Sequence, residues 1–182
     1  MADRLAPIGD DDWPGAAAAL KDGFAGQLDV YRVMAHHPAL LTAWAPLREH
    51  VVRQSALGPE RSEVVILRTG HRLGSAYEWA HHVVRARKLG MAEARIASLR
   101  RAPADMVEDD ALIATAVDEL VDAHGLSGPT RARAMAVLGP EGVLDLIATV
   151  GFYTVLGGIL NSFETPVDAD VAAALEAHPL EG

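Results

Sequence analysis

The chain has 182 residues, no cysteine and a formal net charge of −9 at neutral pH. This length is enough for one domain with its own hydrophobic core, and the lack of cysteine excludes thiol catalysis, disulfides and Cys-ligated metals. The negative charge argues against nucleic acid and against an anionic membrane surface as partners.

The first segment of the chain predicts a tail followed by one domain. Residues 1–12 have no apolar run and end in an Asp-rich stretch, so we expect a flexible N-terminal tail over 1–12 and a single domain over 13–182. Nothing in this segment is typical of a secretion signal, because it lacks an apolar h-region. We therefore predict a cytoplasmic protein.

The rest of the chain reads as helices separated by Pro and Gly. Ala and Leu dominate, and both favour helix. The expected helices, in chain order, cover 15–24, 28–38, 39–57, 60–73, 75–90, 91–101, 108–125, 127–139, 140–163 and 168–177. The apolar stretch 146–161 is too short and too Gly-rich for a membrane span, so we interpret it as a core or interface helix. No long alternating strand pattern occurs, and the predicted fold class is all-α.

Two carboxylates and one histidine fall on apolar faces of neighbouring predicted helices. In the stretch "GSAYEWAHH", residues 74–82, a turn of about 100° per residue places Glu78 and His82 on the face expected to be buried. Glu63 lies on an apolar face of the preceding helix. A buried carboxylate needs a partner, and His82 is the expected partner of Glu63. We predict Glu63, Glu78 and His82 as a catalytic group that moves protons near neutral pH, with a purely structural Glu–His pair as the alternative.

Further polar and aromatic residues surround this group in the sequence. His81 shares its side of the helix with Lys88, so we expect its ring in solvent or at an interface. Arg68 and Arg72 could hold an anionic substrate, but solvated helix arginines are the preferred interpretation. For the aromatic residues, ordinary core packing is the alternative to substrate contact. The candidate substrate-binding residues are His71, Ser75, Tyr77, Trp79 and Tyr153.

A metal site is a second possible interpretation of the same segment. The spacing Glu78-x-x-His81 matches the ligand pattern of carboxylate di-iron bundles, which need a second such pair and two more glutamates. No second Glu-x-x-His occurs in the chain. We therefore predict no metal site.

The segments 61–99 and 110–166 carry a family resemblance. The first, "RSEVVILRTGHRLGSAYEWAHHVVRARKLGMAEARIASL", resembles the core of the carboxymuconolactone decarboxylase and alkylhydroperoxidase D-like superfamily, and the likeness extends over about residues 30–166. It implies a single-domain multi-helix bundle of the alkylhydroperoxidase D-like type. It also implies self-association, as a homotrimer or hexamer with a dimer as the alternative.

The family pattern can be carried over residue by residue. In the peroxidase branch a Cys-x-x-Cys pair precedes the histidine. Ser75 and Glu78 stand at those two cysteine positions, while His82 matches the histidine and Glu63 the upstream glutamate. A thiol peroxidase is therefore excluded. The decarboxylase branch, which has Glu four residues before His, is the closer pattern.

The resemblance implies a lyase or isomerase that acts without a cofactor. Its substrate would be a small carbonyl or lactone-like organic acid, and the outcome decarboxylation, isomerisation or elimination. The alternative is a non-catalytic oligomeric protein of the same fold that binds a small molecule.

Overall fold

Proline, glycine and polar capping residues set the helix boundaries in this computed structural model, which describes residues 4–180. Pro38 and Pro59 each occupy the first turn of a helix, and Ser75 and Ser127 cap helix N-termini through their side chains. The helices are α1 Ala18–Lys21, α2 Phe24–Gln27, α3 Asp29–Met34, α4 Pro38–Glu49, α5 Pro59–Arg72, α6 Ala76–Lys88, α7 Glu93–Ser98, α8 Glu108–Ala123, α9 Gly128–Phe163 and α10 Ala169–Ala177. Within residues 4–180 there is no strand, and the predicted all-α fold is confirmed.

The antiparallel hairpin of α5 and α6 positions the site. Gly74, with a φ of 62°, makes the sharp turn between the two helices. Gly70 lets them approach closely, because a Cβ there would lie 3.2 Å from the Cβ of Glu78. The side chains of Glu63 and His82 therefore meet across the hairpin.

The core surrounds α5. This helix packs against α6, α8 and α9, and its residues from Glu63 to Gly70 are all buried. One apolar cluster joins α5 to α6, α7 and α8 through residues such as Leu67, Val83 and Ile113. A second cluster joins α3, α4 and α9 through residues such as Tyr31 and Phe152. The polar side chains of Glu63, Glu78 and His82 lie on α5 and α6, between these two clusters.

Helix α9 consists of two helical stretches that meet at Gly139. This glycine has a φ of 69° and precedes Pro140, so the predicted boundary between 127–139 and 140–163 coincides with the break. By length and composition α9 could cross a membrane, but 56% of its most apolar window is buried inside the protein. That burial is typical of a core helix, as expected for stretch 146–161.

The end of α4 and the N-terminal segment differ in detail from the predicted pattern. Pro38 begins α4 instead of ending the preceding helix, and α4 continues into a π-helical turn over His50–Gln54. Residues 1–3 of the predicted tail lie outside the described residues. Residues 4–9 have no regular secondary structure, yet the N–H of Ile8 donates to the carbonyl of Arg32.

Candidate active site

Glu63 and His82 form a buried pair across the α5–α6 hairpin. Their exposed fractions are 2% and 4%, and Nδ1 of His82 lies 2.6 Å from Oε2 of Glu63. Burial lowers the pKa of His82, and the contact with Glu63 offsets this only in part. Burial alone would raise the pKa of Glu63, but His82 and Arg85 outweigh it and hold that pKa below its usual value. A carboxylate therefore accepts the Nδ1–H of a neutral imidazole, which leaves Nε2 with a free lone pair.

Glu78 faces that second ring nitrogen. Its Oε2 lies 3.5 Å from Nε2 of His82, and its Oε1 is buried with no hydrogen-bond partner. Burial raises the pKa of Glu78 to about 8; the charge of Arg85 opposes the shift and that of Glu63 adds to it. At neutral pH Glu78 is therefore mostly a carboxylic acid, while Glu63 is a carboxylate. The imidazole stands between one proton donor and one proton acceptor.

Arg85 holds the outer oxygen of Glu63. Its Nε lies 3.1 Å from Oε1 of Glu63, and the arginine side chain is partly exposed. Glu63 is thus fixed at both oxygens, by Arg85 on one side and His82 on the other. This bracing fixes the orientation of the imidazole ring.

A cavity of about 250 Å³ opens beside His82 and Glu78. Tyr153 lies on its wall and meets the His82 ring edge-on, with ring centroids 5.1 Å apart. Tyr31 is also on the wall, and burial raises the pKa of both phenols, so both remain neutral hydroxyls. The cavity therefore presents a base, an acid and neutral hydrogen-bonding groups to a small molecule.

The predicted site residues are not all brought together. Glu63, Glu78 and His82 form one cluster, and Tyr77 and Tyr153 line the cavity beside it. Three other candidates lie elsewhere. Ser75 is a buried N-cap whose hydroxyl accepts the N–H of Glu78, at 3.4 Å. Trp79 packs in the core under the guanidinium of Arg100, and His71 lies against Trp79 instead of in the cavity.

The expectation that His81 is exposed or at an interface is not met within the chain. His81 is 9% exposed, and its Nε2 lies 2.8 Å from Oδ2 of Asp168. The hydroxyl of Tyr77 donates to the same oxygen, at 2.5 Å. Asp168 precedes α10, which packs against this side of α6 and covers the histidine. The error arises because the helical pattern of α6 does not show where α10 docks.

Sequence reasoning missed Arg48, Tyr31 and Arg85 as parts of the site. Arg48 and Tyr31 reach the cavity from α4 and α3, which are distant from the motif in the chain. Only Arg85 had a local signal, since it lies three residues after His82 and one helical turn along the same side.

Arg68 and Arg72 do not reach the cavity. Arg68 is buried and binds Asp118 at 2.6 Å, while Arg72 binds Asp118 and Asp122. These ion pairs join α5 to α8 and leave no anion site there. Across residues 4–180, no group of three or more His, Asp or Glu side chains is arranged to hold a metal ion.

Comparisons with known proteins agree with this architecture. Residues 38–121 match the sequence model of the Carboxymuconolactone decarboxylase family. A search of curated proteins found none that matches the chain. Among solved structures, a cysteine-to-alanine variant of the debrominase Bmp8, in complex with 2,3,4-tribromopyrrole, is 12% identical with a TM-score of 0.72. The match covers 95% of this chain and 96% of that chain, and at this identity it shows a shared fold alone.

Proposed function

We propose that this chain, whose residues 38–121 match the carboxymuconolactone decarboxylase family model, is a proton-transferring enzyme that acts without a cofactor. Its substrate is a small carbonyl or lactone-like organic acid. The observation that carries the proposal is the position of His82 between two buried carboxyl groups, with Glu63 2.6 Å from Nδ1 and Glu78 3.5 Å from Nε2. Their surroundings lower the pKa of Glu63 and raise that of Glu78. Pairs of titratable groups whose surroundings push their pKa values apart are typical of acid–base catalysis.

The proposed chemistry assigns one role to each group. Nε2 of His82 accepts a proton from the substrate, and Glu63 stabilises the imidazolium that forms. The electron pair released at carbon moves onto the adjacent carbonyl. Glu78, as the protonated carboxyl group, hydrogen-bonds the developing oxyanion or returns a proton to carbon. With a carboxylate on the reacting carbon, the C–C bond breaks instead, CO₂ leaves, and the same acid protonates the carbon.

This assignment corresponds to a carbon–carbon lyase or an isomerase, which we place in the cytoplasm. A non-catalytic binding protein of the same fold is the competing proposal. It is favoured by the same buried cluster, because a buried Glu–His pair can be purely structural. Turnover separates the two proposals.

Untargeted substrate trapping tests the proposed function. Purified protein and its His82→Gln variant are each incubated with a metabolite extract, and small carboxylic acids are followed by mass spectrometry. We expect a compound that is consumed by the wild-type protein and is retained, bound and unchanged, by His82→Gln. A ligand that saturates the wild-type protein without giving a product supports the binding protein instead.

We also propose that the chain self-associates through the outer face of α9. Leu144, Ile147 and Val155 are exposed there at helical spacing, with Gly151 and Gly158 between and beyond them allowing close contact. A trimer-based assembly is expected ahead of a dimer. Light scattering at micromolar concentration tests this: Leu144→Lys should shift the assembly toward monomer, and a monomeric wild-type protein overturns the proposal.

A further inference from the structure

Arg48 is a buried cation without an acidic partner. It is 8% exposed, its Nε is buried with no hydrogen-bond partner, and among residues 4–180 no carboxylate forms an ion pair with it. Other buried or half-buried arginines are neutralised: Arg68 binds Asp118 at 2.6 Å, and Arg95 binds Asp110 at 2.8 Å. A buried charge is costly unless it is paired. The buried positive charge of Arg48 is therefore not balanced by an anion.

Stacking on Phe24 compensates for the burial of the Arg48 charge only in part. The guanidinium carbon of Arg48 lies 4.2 Å from the centroid of the Phe24 ring. Such a contact stabilises the cation by the ring quadrupole, but it supplies no hydrogen-bond acceptor for the guanidinium N–H groups. The stack orients the guanidinium, the Tyr31 phenol is a second neighbour of it, and Nε remains without an acceptor.

Arg48 lines the same 250 Å³ cavity as His82 and Glu78. Tyr31 stands near both: burial raises the pKa of its phenol, the charge of Arg48 opposes that shift, and the charge of Glu78 adds to it. Tyr31 therefore remains a neutral hydroxyl that can donate beside Arg48. A cavity of about 250 Å³ can hold one small molecule, and Arg48 and His82 both lie on its wall.

The wall of the cavity carries more cations than ionised carboxylates although the protein is acidic. Arg48, Arg85 and Lys88 lie on the wall with one carboxylate, Asp170. Behind the wall, Glu63 is held by Arg85 and His82, and Asp168 by His81 and Tyr77. Glu78 adds no charge at neutral pH, because its pKa is about 8. A protein of net charge −9 thus has a cavity that favours a small anion.

A π-helical turn follows the helix that carries Arg48. The turn His50–Gln54 follows directly after α4, and Asp145 of α9 pins it by accepting from Nε2 of His50 at 2.7 Å and from the N–H of Ala56 at 2.6 Å. Single π-helical turns often occur at functional sites, since they shift the direction of nearby side chains.

We propose that Arg48, assisted by the hydroxyl of Tyr31, is the subsite for a carboxylate group of the substrate. A planar guanidinium matches a carboxylate with two parallel hydrogen bonds, and one monoanion balances the one unpaired charge. Binding there holds the rest of the molecule against His82 and Glu78. The inference rests on the proposed function for the identity of the reacting group, and not for the binding of the anion.

Benzoate and its neutral isostere benzamide are the probes, measured by ligand-observed NMR or calorimetry. We expect the wild-type protein to bind benzoate more tightly than benzamide. Arg48→Met should weaken benzoate binding about ten- to a hundredfold and leave benzamide unchanged, because a charge-assisted hydrogen bond is lost. Arg48→Lys keeps the charge without the fork and should fall between them.

Arg53→Met is the matched control. Arg53 lies one helical turn beyond Arg48, is exposed, and pairs with Glu49, so its replacement should leave benzoate binding as in the wild-type protein. Circular dichroism melts on each variant exclude loss of fold as the cause. Phenyl phosphate is the third probe, and tighter binding of it than of benzoate, with the same dependence on Arg48, assigns the subsite to phosphate and overturns the carboxylate assignment.

The outcomes separate this inference from the proposed function. Benzoate binding that is equal in folded Arg48→Met and wild type, or no benzoate binding by the wild-type protein at millimolar concentration, overturns the subsite. Turnover of the trapped substrate by the His82→Gln variant is measured separately and tests the proposed function alone. Full turnover by that variant would contradict the proton-transfer proposal and leave the Arg48 result standing.

Discussion

His81 and His82 are neighbours in the chain, and each lies within 2.8 Å of a carboxylate, yet their surroundings differ. His82 contacts Glu63 through Nδ1 and faces the protonated Glu78 through Nε2. His81 contacts Asp168 through Nε2, and its ring stacks on Tyr77 with centroids 4.1 Å apart. A buried histidine–carboxylate pair alone does not separate these two cases.

The difference lies in what the partners of each histidine are tied to. Glu63 is braced by Arg85 inside the α5–α6 hairpin, and the free lone pair of His82 points to a second ionisable group at the cavity. Asp168 instead accepts from Tyr77 and from the backbone N–H of Asp29, and it precedes α10. We propose that the first pair exchanges protons, whereas the second joins α6 to α3 and to the start of α10. The comparison predicts that substitutions on the two sides affect different measured quantities.

Replacing His82 should have the largest effect on turnover. His82→Gln removes the group that accepts the proton, and loss of a general acid–base group costs about 10²- to 10⁴-fold in rate. His81→Gln removes a contact to Asp168 and should change kcat by less than about tenfold. Steady-state kinetics and melting temperatures on both variants measure the contrast. A stable His82→Gln protein with undiminished turnover would end the proton-transfer proposal.

Replacing the carboxylate partners should give a smaller contrast in the same direction. Glu63→Gln still hydrogen-bonds the ring but no longer stabilises an imidazolium, so we expect a loss in kcat of up to about a hundredfold. Asp168→Asn, the matched change on the other side, should lower the melting temperature with little effect on kcat. Activity that simply follows the folded fraction in both variants would favour a structural role for both pairs.

The burial of Glu63, Glu78 and His82 can be predicted from sequence because the geometry of their hairpin is local. Helical period and the spacing of two adjacent helices place Glu63, Glu78 and His82 on buried faces, and all three are buried. The helix order and the break at Gly139 follow from Pro, Gly and capping residues in the same way. Their proposed catalytic roles remain predictions.

The rest of the site depends on contacts between distant segments. The helical pattern predicts His81 in solvent or at an interface, because nothing in α6 indicates that Asp168, far along the chain, lies beside it. Arg48 had no signal as a site residue, since an arginine late in a helix is normally solvated. Trp79 and Ser75 lie in the same stretch, 74–82, but do not reach the cavity. Trp79 packs in the core, and Ser75 caps the helix.

The pH profile should report Glu78. Neutral His82 is the proposed base, and burial lowers its pKa below the usual value of a histidine. Glu78 acts as the acid only while protonated, so kcat should fall as pH rises through about 8. In Glu78→Gln the residual activity should lack this alkaline limb. An unchanged alkaline limb in that variant would remove Glu78 from the mechanism.

The same carboxyl group predicts how stability depends on pH. The pKa of Glu78 rises from its ordinary value of 4.5 in the unfolded chain to about 8 in the folded protein. The folded state therefore binds more protons between these values, and the stabilising effect, complete below pH 4.5, is lost as pH rises to about 8. The shift corresponds to an upper bound on the order of 5 kcal/mol. Glu78→Gln should consequently be more stable than the wild-type protein at pH 8, and a denaturant titration at several pH values that finds no gain contradicts the buried acid.

Replacing Tyr77 by Phe should have the smallest effect and tests the joining role of the other side most directly. The hydroxyl donates to Asp168 at 2.5 Å, and Asp168 remains ionised because His81 and Tyr77 outweigh the effect of burial on its pKa. Losing one hydrogen bond to a charged group destabilises by about 1.5–3 kcal/mol. Since Val171 and Asp170 of α10 line the cavity, looser docking of α10 should raise KM a few-fold and leave kcat unchanged.

Hydrogen exchange locates that effect. Amides of α10 should exchange faster in Tyr77→Phe, while those of α5 and α6 around Glu63 and His82 keep their protection, because the α5–α6 hairpin does not depend on this hydroxyl. Kinetics on the same sample supply the second readout. If Tyr77→Phe instead lowers kcat as strongly as His82→Gln while α10 stays protected, then Tyr77 and Asp168 belong to the proton path. In that event the two histidines share one chemical site.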